Sequence, residues 1–190
     1  MSRDPRIPDD ADAPAEVLHA GKWLTLKQRG RWEFVERNTP GGAVIIVAVT
    51  PEDRVLFVEQ YRVAIRAFTI EMPAGLIGDL EHAGDEDYAS AACRELEEET
   101  GYACARIVHL HSGPSSAGMS TEVMHFVRAL GLRKVGDGGG DETENIGVHE
   151  VPRTQAGAWL REMAARGYSI DAKLFAGLWS LEHAAEFEPG

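Results

Sequence analysis

The sequence predicts a single α/β (α+β) domain in which a mixed β-sheet lies sandwiched between helices, preceded by an antiparallel β segment at the N-terminus. Three observations predict it. The chain has 190 residues and 44% apolar content, enough for one well-buried core and short for two. Its elements run strands, helix, strands, helices, without the regular alternation that a parallel βαβ protein shows. No internal repeat and no second-domain linker interrupts them.

Residues 1–15 are rich in Pro and Asp and nearly devoid of apolar side chains, so burial cannot offset their ordering entropy, and a flexible tail is expected. From Glu16 the pattern alternates. Leu18, Trp23 and Leu24, then Trp32, Phe34 and Val35, flank the turn signal Gln28-Arg29-Gly30-Arg31 and read as a hairpin or meander over 16–40. A domain spanning 41–190 follows. Ala43–Thr50 is a continuous β-branched apolar run, and Arg54–Gln60 follows across Pro51-Glu52-Asp53, so the two read as paired central antiparallel strands. Phe68–Met72 is a third short strand, stopped by Pro73-Ala74-Gly75.

Asp85–Thr100 carries the strongest helical pattern, with Ala89, Ala92, Cys93 and Leu96 as its apolar stripe, acidic residues at its N-terminal end and Gly101 as its C-terminal stop. Strands are expected near Arg106–His111, Val123–Leu130 and Ile146–Val151, with the glycine run Gly136–Gly140 between the last two. Helices near Gln155–Arg166 and Asp171–His183 close the chain.

A formal charge of −12 speaks against non-specific nucleic-acid binding, which needs a positive surface to release counterions. No apolar run is long enough to cross a bilayer, so no membrane partner is expected. Cys93 and Cys104 build neither a disulfide framework nor a Cys-x-x-Cys site; they read as packing residues in a reducing cytoplasm. His109, His111, His125 and His149 fall on strands without metal-ligand spacing.

The chemistry concentrates in Arg94–Tyr102. Within a helix, Glu95, Glu98 and Glu99 fall at i, i+3 and i+4, so three carboxylates crowd one turn. Such a group raises its own pKa values or demands a cation, and Arg94 is expected to pair with only one of them along the helix. An acidic helix face is ordinarily a solvated surface. Here Glu95 and Glu99 project beside the apolar stripe, toward a cleft, and hard oxygen ligands of this kind suit Mg²⁺ or Mn²⁺.

Glu86, seven residues, then Arg94-Glu95-Leu96-x-Glu98-Glu99-x-Gly101-Tyr102 resembles the motif of the Nudix hydrolases, and with it the Nudix fold. The glycine that opens that motif is expected at position 80, where Leu80 stands; Gly75 or Gly78 is its equivalent if about five residues are inserted within 76–85. Gln60-Tyr61-Arg62, Glu71-Met72-Pro73-Ala74-Gly75 and Asp141-Glu142-Thr143-Glu144-Asn145-Ile146 resemble segments of the ADP-ribose pyrophosphatase branch. So does Ser116-Ala117-Gly118, although Ala117 replaces that branch's proline.

The resemblance implies Mg²⁺-dependent hydrolysis of a nucleoside diphosphate sugar, with ADP-ribose first and GDP-mannose or another sugar nucleotide as the alternative. A non-catalytic nucleotide-sugar-binding module is the reading from a different class. It implies metal ligands at Glu95, Glu98, Glu99 and the carbonyl of Ala74, with Arg94 orienting a carboxylate. The general base is expected at Glu142, with Glu144 second, on a loop hinged by the glycine run. Arg62 is expected to reach a phosphate, with Glu71 beside it, and Tyr61 and Trp32 to stack on the base. The resemblance also implies a homodimer that exchanges N-terminal strands.

Overall fold

The computed structural model describes residues 3–39, 41–78, 86–140 and 145–183. Residues 3–14 form successive turns, and Asp10 accepts a hydrogen bond from the Arg31 N–H at 3.1 Å, which ties this segment to the hairpin that follows. β1 (Ala15–Ala20), β2 (Leu24–Arg29) and β3 (Trp32–Arg37) make an antiparallel meander. Arg29 faces Trp32, so the chain reverses in two residues at Gly30-Arg31.

The rest of the chain runs β4 (Ala43–Ala48), β5 (Arg54–Arg62), β6 (Ala67–Glu71), β7 (Ala74–Leu76), α1 (Tyr88–Thr100), β8 (Tyr102–Ala103), β9 (Arg106–Pro114) and β10 (Val123–Leu130). It continues through β11 (Arg133–Lys134), β12 (Gly147–Pro152), α2 (Ala156–Ala165), β13 (Ser169–Ile170) and α3 (Lys173–Glu182). Two four-stranded mixed sheets result, ordered β7-β4-β10-β9 and β12-β5-β6-β13. β10 runs parallel to β4, and β13 runs parallel to β6.

The expected pairing of Ala43–Thr50 with Arg54–Gln60 is therefore corrected. β4 and β5 lie in different sheets, and among the described residues only the isolated bridge Val49–Val55 joins them across the turn. The physical reason is burial. β4 is covered on both faces, so its two edges take β7 and β10, while β5 pairs with β6 and β12. Ile45 and Val47 enter one core with Phe57, Leu160, Met163 and Leu174. Val44 and Ile46 enter the other with Ala91, Ala92 and Leu96 of α1. α1 thus covers one side and α2 with α3 the other. Each such fully buried aliphatic or aromatic side chain contributes on the order of 1.5–3 kcal/mol.

α1 begins at Tyr88, later than expected, because Asp87 caps it: its carboxylate accepts from the Ser90 N–H at 2.8 Å. Asp85 lies outside the described residues, and the first turn of α1 carries no acidic residue. The buried stripe is Ala91, Ala92 and Leu96, with Cys93 only partly covered. Among the described residues no helix is long and apolar enough to cross a membrane.

Candidate active site

The C-terminal end of α1 is fixed by backbone bonds. Gly101 has φ +71°, a left-handed conformation, and donates to Glu97 O at 2.8 Å. A Cβ at that position would stand 2.2 Å from Gly136 O, so the glycine serves both the turn and the approach of the next loop. That loop caps the helix. Gly140 N–H donates to Glu98 O at 3.0 Å and Gly139 N–H to Glu99 O at 2.9 Å, while Val135 and Gly136 both donate to Gly101 O.

The glycine run, expected as a hinge, also caps a helix end that would otherwise leave carbonyls orphaned. Ile146 N–H in turn donates to Gly139 O at 3.0 Å, so the chain leaves and re-enters beside the C-terminus of α1. Glu142 and Glu144, the expected general bases, fall between these anchors and lie outside the described residues.

Arg94 does more than the single ion pair expected of it. Its Nε donates to Glu86 Oε1 at 3.2 Å, and one terminal nitrogen donates to both Glu95 Oε1 at 2.9 Å and Glu98 Oε2 at 3.2 Å. Its other terminal nitrogen reaches Leu76 O at 3.3 Å. The guanidinium fork thus joins three carboxylates to the end of β7. Glu86 was absent from the expected site residues, though its eight-residue spacing to Arg94 was in the motif. Burial would push Glu86 up, but Arg94 and the Gly78 N–H, which donates to it at 3.0 Å, hold its carboxyl below the usual range.

The expected metal ligands separate by burial. Glu95 is 8% exposed and Glu99 2% exposed, whereas Glu98 lies at the surface. Glu99 accepts the Ala74 N–H at 3.0 Å, so Ala74 meets the acidic helix through its amide. Gly75 packs directly on Glu95: a Cβ there would come within 1.8 Å of Glu95 Cδ. Beside them is an open cleft lined by Arg94, Glu97, Glu98, Val135 and Gly136. Among the described residues no group of three His, Cys, Asp or Glu side chains is gathered into a metal cluster.

The expected substrate contacts lie on the strands that precede this turn and on the meander, and the Glu99 carboxylate acts on Arg62 through space. Arg62, on β5, binds Glu71 of β6 bidentately, at 2.6 and 2.7 Å. Burial pushes Glu71 up, but hydrogen bonds from Arg62 and Thr69 outweigh it and hold the carboxyl below its ordinary value. Glu71 in turn raises Arg62. Tyr61 is half-exposed and meets Phe68 edge-on, with ring centroids 5.3 Å apart. Trp32 sits on the meander, 52% exposed, under the Arg31 guanidinium. The meander is fastened to the 116–122 loop: Val35 N–H donates to Met119 O at 2.8 Å, and Arg37 pairs with Glu122 at 2.8 Å. Ala117 occupies the exposed turn of that loop.

Two groupings escaped the linear reading because they form across elements. Ser112 bridges His109 and His125, at 2.7 and 2.9 Å, with the Tyr88 ring against both histidines. Cys93 and Cys104 bring their sulfurs to 3.2 Å. No spacing rule within one element predicts either.

A loop–helix turn with two buried carboxylates, one fixed by an arginine fork and one by a backbone amide, set between mixed sheets and flanking helices, defines an acidic-helix α+β domain. The chain belongs to the NUDIX domain family, whose profile matches residues 39–175. It is similar to the methanol dehydrogenase activator of Bacillus methanolicus, 38% identical over 64% of this chain and 63% of that protein. It is also similar to the ADP-ribose pyrophosphatase of Bacillus subtilis strain 168, 35% identical over 58% of this chain and 57% of that protein. The chain thus spans about three fifths of the length of these curated relatives. Among solved structures, an ADP compounds hydrolase shares the fold, with a TM-score of 0.72 at 19% identity over 91% of this chain and 92% of that one.

Proposed function

We propose that the chain hydrolyses the pyrophosphate bond of a nucleoside diphosphate sugar, with ADP-ribose as substrate and AMP and ribose 5-phosphate as products. The observation that carries the reading is the pair Glu95 and Glu99, buried one helical turn apart and each held by a separate donor. The name of the Bacillus subtilis relative supports the substrate.

The donor set fits a divalent cation. Mg²⁺ keeps waters and substrate phosphates among its ligands and needs only one or two carboxylates, so no three-residue protein cluster is required. Glu95 and Glu99 would hold it, with Glu98 and the carbonyl of Ala74 completing the protein's share; Mn²⁺ fits the same oxygens. When bound, the cation would neutralise the pyrophosphate oxygens and lower the pKa of a coordinated water.

The chain's own residues do the rest. Arg94 orients Glu95 and joins it to Glu86 and Glu98. Glu142 takes the proton of the attacking water as general base, with Glu144 the second candidate. Glu71 fixes the plane of the Arg62 guanidinium, whose outer edge is offered to a phosphate. Tyr61 and Trp32 present ring faces to the base. We place the protein in the cytoplasm and assemble it as a homodimer through the meander, with strands exchanged. Val17, Leu18, Trp23, Leu24 and Trp32 are exposed there, more apolar surface than a solvated sheet requires.

Incubation with ADP-ribose and Mg²⁺ should release AMP, chelation should stop it, and Glu99→Gln should lower turnover about a hundredfold or more, the scale of a lost electrostatic group. No AMP from ADP-ribose beside release of GMP from GDP-mannose would move the substrate to the alternative sugar nucleotide, which the missing proline at Ala117 leaves open. A relative named as an activator keeps a binding module in view. That reading predicts nucleotide-sugar binding without turnover, unchanged by Glu99→Gln.

A further inference from the structure

We infer that Cys93 and Cys104 form an oxidisable dithiol whose disulfide closes the catalytic motif into a covalent ring. Cys93 lies in the middle of α1, one residue before Arg94, and Cys104 lies just past β8. Everything from Arg94 to Ala103, including Glu95, Glu98 and Glu99, falls between them. The two sulfurs stand 3.2 Å apart, both thiols are free, and both residues are partly exposed. An S–S bond of about 2.05 Å is therefore reached by drawing the sulfurs together by little more than about 1 Å.

The placement is specific to this fold. Gly101 turns the chain at the end of α1, and β8 then runs back along the helix, with Tyr102 packed in the same core as Leu96. The reversal carries Cys104 against Cys93, so the contact follows from the turn that ends the motif. Burial, and next the neighbouring Cys93 thiol, push the Cys104 thiol up to about 12, which suits it to act second.

With a hydroperoxide as oxidant the chemistry balances. Cys93 sulfur attacks one peroxide oxygen, the O–O bond breaks, a sulfenic acid forms, and the leaving alkoxide or hydroxide takes up the thiol proton. Cys104 sulfur then attacks Cys93 sulfur, the S–O bond breaks, and water leaves with the Cys104 proton. Two thiols are oxidised by two electrons, and one peroxide is reduced. A dithiol reductant reverses the step by exchange. In a reducing compartment such a bond is transient, made under oxidant and broken afterwards.

The test uses the full chain and no turnover assay, so its failure is separate from failure of the hydrolase reading. Protein is treated with hydrogen peroxide under native conditions, then denatured and alkylated, and its intact mass and thermal midpoint are read. The expected result is loss of both alkylatable thiols with loss of two hydrogens and no intermolecular dimer. Dithiothreitol should restore the thiols. The oxidised form should melt about 5 °C higher, because a short ring is closed in the unfolded chain. In Cys104→Ser, Cys93 should instead stop at the sulfenic acid and be trapped by a carbon nucleophile, with no staple. Retention of both thiols, cross-linked dimers, sulfinic acid in place of the disulfide, or a lower midpoint on oxidation would overturn the inference.

Discussion

Glu71 is a carboxylate almost fully out of water, and it stays ionised because Arg62 and Thr69 supply what water would. Its folded pKa lies below the ordinary value, so the stability it contributes is present above about pH 4.3 and is lost as pH falls through the folded value. Glu86 adds to the same acid-side loss, for the same sign of shift. Arg62→Met should lower the thermal midpoint at neutral pH and flatten its decline toward about pH 3, since a buried carboxyl that has lost its guanidinium partner titrates upward. A midpoint curve parallel to that of the unaltered protein would contradict this account. Gly75→Ala should destabilise by about 1–3 kcal/mol in urea titration, the scale of overpacking, because its Cβ would overlap Glu95 Cδ. The same change should reduce turnover by displacing Glu95. The carboxylates were legible from spacing alone. The glycine's contact with Glu95 was not, since it joins residues twenty positions apart.

At the level of elements, α1 was the most readable piece of the chain. Its stripe, its acidic positions and its glycine stop all sit within a few residues of one another, where helical periodicity acts. Its partners were less readable. The loop 135–140 meets the helix end through backbone N–H groups, which carry no side-chain signature, and so its role as a cap could not be inferred from the glycines. Gly101→Ala should cost about 1–2 kcal/mol for the left-handed conformation alone, and more from contact with Gly136 O, measured by chemical denaturation. It should also slow the proposed reaction, because the same turn holds Glu98 and Glu99 against the loop 135–140. The strands β4 and β5 show the opposite limit. Their composition marked both as buried, but two-faced burial does not say which sheet a strand joins.

For the molecule as a whole, the order of the long strands was legible, while the short strands β7, β8, β11 and β13 and the partition into separate sheets were not. Pairing of β4 with β10 and of β5 with β12 links distant parts of the chain, and linear patterns hold no record of such partners. The meander presents the other whole-molecule question. Deleting residues 1–37 should convert the proposed dimer to a monomer in sedimentation velocity and weaken substrate binding, because Trp32 and the clasp of Val35 on Met119 leave with it. An unchanged dimer would place the interface elsewhere.

The separation of β4 from β5 also bears on how the chain is born. β4 is made early, and its turn partner joins another sheet, so one edge of an almost wholly apolar strand, Ala43–Ala48, stays unpaired until β10 has left the ribosome. During that interval the nascent chain carries the kind of open edge that recruits other chains. Burial of that edge by a late parallel partner makes the final fold secure and makes synthesis its most exposed moment.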